Sequence, residues 1–142
     1  MWRRVLIADN YVALVFYLTS ALLGMLITRG QGFEIHFWVT IASLAPVMTA
    51  HLGSAIYLAV HPAPGRTRVP LILLNYVAAG FYLWITYAGF MIRQGVPFDY
   101  HLTISITGFF FGVSAIVFSA LFLALKYKQP PAAVDRMPLT QE

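Results

Sequence analysis

Four apolar runs, roughly residues 5–27, 35–60, 69–92 and 102–125, occupy most of this 142-residue chain. Each is long enough to cross a bilayer, whose hydrocarbon core takes about 20 helical residues. In hydrocarbon no water is available to the backbone. A spanning segment must therefore satisfy its own amide and carbonyl groups, which a helix does and an open strand does not. The expected fold is an all-α membrane protein with four transmembrane helices. Composition agrees: 60% of the residues are apolar, 10% are charged and the mean hydropathy is +0.76, against about 25% charged in a soluble domain. The first run is too long for the apolar stretch of a secretory signal peptide and has no small-residue cleavage pattern, so it is expected to stay as a helix.

One four-helix domain over residues 1–128 follows, with a Pro- and Ala-rich tail at 129–142 that is expected to be disordered and cytoplasmic. The turns near 29–34, 61–68 and 93–99 are too short to house a soluble catalytic domain. Any chemistry is expected inside the helices or at their ends. There is no cysteine, which excludes disulfides, thiolate metal sites and cysteine nucleophiles. The net charge of +4 reports topology rather than nucleic-acid binding. Arg3, Arg4, Arg66, Arg68, Lys126, Lys128 and Arg136 flank one side of the four-span layout, and only Arg29 and Arg93 the other. The positive-inside rule then places both termini in the cytoplasm and the protein in the inner (cytoplasmic) membrane.

The chain also repeats itself. Asn10-Tyr11-Val12-Ala13 and Phe16-Tyr17-Leu18 return 65 residues later as Asn75-Tyr76-Val77-Ala78 and Phe81-Tyr82-Leu83. The same ungapped offset carries Phe33-Glu34-Ile35-His36 onto Phe98-Asp99-Tyr100-His101, and Gly24, Ala50, Ser54 and Leu58 onto Gly89, Ala115, Ser119 and Leu123. Two tandem helical hairpins are expected, covering about 5–60 and 69–125. With two spans each they have the same orientation and should be related by a pseudo-two-fold axis along the membrane normal.

Small and polar residues mark the packing seams. Helical spacing lines up Asn10, Ala13, Tyr17, Ser20 and Gly24; His36, Thr40, Ser43, Val47, Ala50 and Ser54; Asn75, Ala79, Tyr82, Thr86 and Gly89; and His101, Ser105, Gly108, Gly112, Ala115 and Ser119. Small residues let helices approach closely in lipid, and Gly108 with Gly112 forms a GxxxG. The seams should face inward, and the large apolar residues, Phe109, Phe110, Phe118 and Phe122 among them, should face lipid.

His36 and His101 belong to their seams and are equivalent in the two repeats, so they are a ligand pair in prospect. Two opposed imidazoles suit one haem b near the outer face, with Ser43 and Gly108 leaving room for the ring and Arg29 and Arg93 placed for its propionates. Glu34 and Asp99, two residues before each histidine, would complete a bare metal site, although their simpler role is at the positive ends of the helices. His51 has no counterpart, since residue 116 is isoleucine. It lies deep in the membrane and needs a partner, which Asn10, Asn75, Tyr11 or Tyr76 would supply at a similar depth. It is a candidate quinone or proton site together with Asn10 and Asn75; the plainer reading is a hydrogen bond to a neighbouring helix.

With a histidine on each of two facing helices, the arrangement is similar in outline to the four-helix cytochrome b membrane subunits. That resemblance covers architecture and one ligand pair. It implies a small electron-transfer subunit with one haem b, in which His51 is the candidate group for exchange with quinone. The competing expectations are a non-catalytic accessory subunit of a larger respiratory or photosynthetic complex, which would have other membrane subunits or further copies of itself as partners, and a small transporter.

Overall fold

The computed structural model describes residues 1–27, 32–61, 67–96 and 100–126. It is all-helical among these residues: α1 Trp2–Ile27, α2 Phe33–Val60, α3 Arg68–Arg93 and α4 His101–Lys126. The helices begin and end within three residues of the apolar runs, because the bilayer requirement that defines a run also defines a helix. At 26 to 28 residues each they are about 39–42 Å long, enough to pass the hydrocarbon and reach both headgroup layers. All four are long and apolar enough to cross a membrane. The tail at 129–142, Arg29, Arg66 and Asp99 lie outside the described residues.

The helices pack in cyclic order, α1 against α2 and α4, and α3 against the same two. One diagonal is short, so that α2 and α4 approach, while the backbones of α1 and α3 stay apart. Aromatic rings fill the space between α1 and α3: Tyr17 and Tyr82 meet edge to face with centroids 5.4 Å apart. Around them Ala13, Val47, Ala50 and Ile116 complete a central apolar cluster. A second cluster of Leu6, Leu58, Leu71, Phe122 and Leu123 closes the bundle at the end where α1 and α3 begin.

The expected seams are the buried faces. Asn10, Ala13 and Tyr17, then Thr40, Ser43, Val47, Ala50 and Ser54, then Asn75, Ala79, Tyr82 and Thr86, then Gly108, Gly112, Ala115 and Ser119 are all buried. His36, Ser20, Gly24, Gly89 and Ser105, at the other end, are half-buried. Two of the four phenylalanines expected in lipid are corrected. Phe110 and Phe118 are exposed, but Phe122 is buried in the second cluster and Phe109 packs on Tyr17. Phe122 packs among Leu6, Leu58 and Leu71 and Phe109 lies edgewise to Tyr17, so the rotation of α4 turns these two rings toward the bundle.

Close approach depends on glycine at specific points. A Cβ on Gly112 would overlap Cζ and Oη of Tyr17, and one on Gly53 would lie 2.8 Å from Cδ2 of Leu6. Gly112 is thus the slot that admits the Tyr17 ring. Pro46 lies within α2 and removes one helical N–H, freeing the carbonyl of Ala42.

Candidate functional site: a buried polar file

The bundle interior carries a file of polar side chains centred on His51, which is fully buried. Its Nδ1 lies 3.1 Å from Oδ1 of Asn75, and its Nε2 lies 3.0 Å from the hydroxyl of Tyr17. The Asn75 amide fixes the direction of the first bond. Its Nδ2 donates to the Leu71 carbonyl (2.8 Å) and to Ser119 Oγ (2.8 Å), so Oδ1 must be the acceptor. His51 therefore carries its proton on Nδ1. The neutral imidazole then accepts the Tyr17 proton at Nε2, and no charge is placed at that depth.

Sixty-five residues earlier in the chain the arrangement is partly reproduced. Asn10 Nδ2 donates to the Leu6 carbonyl (2.6 Å) and to Ser54 Oγ (2.9 Å). The partners lie four residues before each asparagine and 44 after it in both cases. Asn10 Oδ1 is buried and has no hydrogen-bond partner among the described residues. Oδ1 of Asn75 accepts a hydrogen bond from His51, whereas the residue 65 positions after His51 is Ile116.

The file continues above His51. The Tyr82 hydroxyl is bonded to Ser43 Oγ and lies 3.5 Å from the Thr40 carbonyl. Ser43 also donates to carbonyls one turn back, and Thr40 Oγ1 bonds the His36 carbonyl. These bonds satisfy hydroxyls that would otherwise sit unpaired in the core.

His51 and Asn75 are thus brought together as expected, and Asn10 is not part of that pair. Tyr11 and Tyr76 are exposed, 59% and 48%, so neither partners His51. Tyr17 takes that role. The Asn10–Ser54 bond sets the α1–α2 register and puts Val47 level with Tyr17, with His51 about 6 Å further along. Helical side chains lean toward their own N-terminus. In an antiparallel pair Tyr17 and His51 therefore lean toward one another, and the length of tyrosine closes the gap. Depth matching alone points to residue 10; the side-chain lean is the signal that finds Tyr17.

At the other end of the bundle His36 is half-buried in the first turn of α2, its amide bonded to the Gly32 carbonyl. His101 opens α4, and its side chain lies outside the described residues. Glu34 pairs with Arg93 at 3.5 Å, and the Arg93 guanidinium lies 4.9 and 5.0 Å from the ring centroids of Phe37 and Trp38. The volume beside Ser43 is taken by Tyr82, and that beside Gly108 by Ile85 and Phe81, whose atoms lie 2.8 and 3.1 Å from where a Cβ would stand. A haem at that depth fits only if those side chains move. Among the described residues, no group of three or more His, Asp or Glu side chains is placed to hold a metal ion.

Fold and interior together define a four-helix membrane bundle with a histidine-centred polar core. Comparison with protein-family models, with curated proteins and with solved structures gives no match.

Proposed function

We propose that the chain is a small multi-pass subunit that works by assembly, as a non-catalytic accessory part of a larger respiratory or photosynthetic membrane complex. The supporting observation is the interior. His51 is bonded at both ring nitrogens, Asn75 at both its amide nitrogen and its oxygen, and the places beside Ser43 and Gly108 are filled by Tyr82, Ile85 and Phe81. A quinone headgroup at His51 would have to displace Tyr17 or Asn75. The surface left for function is the apolar exterior.

On this reading the two hairpins are tandem repeats about a pseudo-two-fold axis along the membrane normal. The matched Asn10–Ser54 and Asn75–Ser119 bonds and the central Tyr17–Tyr82 contact support that. Both termini face the cytoplasm, as the distribution of Arg and Lys implies.

The test is crosslinking in native membranes followed by mild solubilisation and a native gel. The expected result is a crosslinked assembly with other membrane subunits in fixed stoichiometry. A chain that migrates alone, uncrosslinked at every reagent level, refutes the proposal.

A second reading is favoured by the matched positions of His36 and His101 at the starts of α2 and α4: one haem b near the outer face, in an electron-transfer subunit. A reduced-minus-oxidised visible spectrum of protein made with ample haem separates the two. A Soret and α-band signal lost in both His36→Ala and His101→Ala selects haem; a colourless protein selects assembly.

A further inference from the structure

Among the described residues two tyrosines are buried, Tyr17 and Tyr82, and their rings touch. Their hydroxyls end on different chemistry. The Tyr82 hydroxyl is bonded to Ser43 Oγ and lies 3.5 Å from the Thr40 carbonyl. A serine hydroxyl and a peptide carbonyl accept a hydrogen bond but do not hold a full proton near neutral pH. The Tyr17 hydroxyl donates to Nε2 of His51 at 3.0 Å, and a neutral imidazole is a base. The residue 65 positions after His51 is Ile116, which offers no nitrogen.

That difference matters when an electron is removed. A phenol that loses an electron becomes a strong acid. In a water-excluded core it holds a full charge on the ring, which is costly, unless a base is in hydrogen-bond contact. The two particles also differ in reach. An electron tunnels through the body of one helix, about 10 Å across, whereas a proton moves along a hydrogen bond. Tyr17 meets both needs. Val15 and Leu18, on the back of α1, are exposed, so the body of α1 alone separates the ring from the surface. A proton that reaches Nε2 leaves an imidazolium whose Nδ1–H points at Asn75 Oδ1, 3.1 Å away. The Asn75 amide is fixed in that direction by the Leu71 carbonyl and Ser119.

We propose that Tyr17 is a redox-active tyrosine, the group through which the bundle gives one electron to a high-potential metal-complex oxidant lying against α1. The electron leaves the phenol, the O–H bond of Tyr17 breaks, and the proton moves to Nε2 of His51. The products are a neutral phenoxyl radical on Tyr17, a cationic His51 and an oxidant reduced by one electron. Return of an electron reverses both transfers, and nothing is consumed. Unlike a quinone headgroup, this chemistry leaves Tyr17 and Asn75 in place. It rests on the interior alone and not on the assembly reading.

The test uses the detergent-purified full chain in which Tyr11, Tyr57, Tyr76, Tyr87, Tyr100 and Tyr127 are replaced by phenylalanine, so that Tyr17 and Tyr82 remain. Tris(bipyridine)ruthenium(III), generated by a light flash with a pentaamminecobalt(III) acceptor, is the oxidant. The radical is read by electron paramagnetic resonance after freezing. The expected result is a phenoxyl signal that persists in Tyr82→Phe and is lost in Tyr17→Phe. In His51→Gln the glutamine still accepts from Tyr17 and donates to Asn75, but it is not a base. Its signal should fall to the Tyr17→Phe level while its far-ultraviolet circular dichroism matches the parent. If His51→Gln does not fold, the two Tyr→Phe variants, which keep their rings, decide between the tyrosines. A signal that follows Tyr82, or one undiminished in His51→Gln, overturns the proposal. So does a silent parent in a mixture that oxidises added N-acetyltyrosinamide.

Discussion

Gly112→Ala is the most informative single change in this bundle. The added methyl would overlap Cζ and Oη of Tyr17. The ring has little room to retreat, because Tyr17 is 4% exposed and is held edgewise by Tyr82, His51 and Phe109. Overpacking a well-filled core costs about 1–3 kcal/mol. Displacing the hydroxyl also breaks its bond to His51, which in a membrane protein is worth about 0.6 and at most about 1.7 kcal/mol. Alanine returns up to about 1 kcal/mol in helix propensity over glycine. The net expectation is a loss of about 2 kcal/mol. Gly80→Ala is the control, since nothing lies within 4 Å of its added Cβ; it should be neutral or stabilising by up to about 1 kcal/mol. The assay is unfolding in mixed micelles, followed by far-ultraviolet circular dichroism. In a Tyr17→Leu background the colliding atoms are gone, and Gly112→Ala should then behave like Gly80→Ala. The reasoning is refuted if Gly112→Ala is as benign as Gly80→Ala in the parent, or if its cost is the same with and without Tyr17.

Other outcomes follow from the same geometry. Asn75→Ala should destabilise more than Asn10→Ala, because Asn75 holds three partners including His51 and Asn10 holds two; at about 0.6 kcal/mol per bond in this setting the gap is about one bond, plus the penalty for a buried N–H left on His51, and equal losses in the same unfolding assay would contradict it. Glu34→Gln should cost under about 1 kcal/mol and lose its effect at high salt, since the pair to Arg93 is 41% and 59% exposed; a salt-independent loss would argue against the pair. Arg93→Lys should destabilise more than Glu34→Gln, because lysine keeps the charge but not the planar group over Phe37 and Trp38. Reporter fusions at both termini should report the cytoplasm, and one at residue 95 the opposite side.

The helices were legible because burial in lipid and helix formation respond to the same residues. A run too apolar for water must satisfy its own backbone, so the four runs and the four helices nearly coincide. The inward faces were legible for a related reason. Small and polar residues at helical spacing are unfavourable toward lipid and useful between helices, and positions such as Ser43, Ala50, Asn75 and Ser119 are buried accordingly. That His51 needed a partner also followed from its depth and chemistry.

Asn75 was among the partners expected at that depth, but Tyr17, the second partner, was not. Pattern within a helix fixes a direction but not the rotation or level of the neighbouring helix, and those are set by packing across the bundle. The short α2–α4 diagonal brings Gly112 over Tyr17, and the lean of both side chains carries the hydroxyl to His51. The same packing decides that Tyr82, Ile85 and Phe81 fill the space beside Ser43 and Gly108, which as a list of small residues reads as room for a ligand. Composition and periodicity determine what each helix must hide. Which groups meet in the hidden interior depends on distances between helices, and those exist only once the bundle is packed.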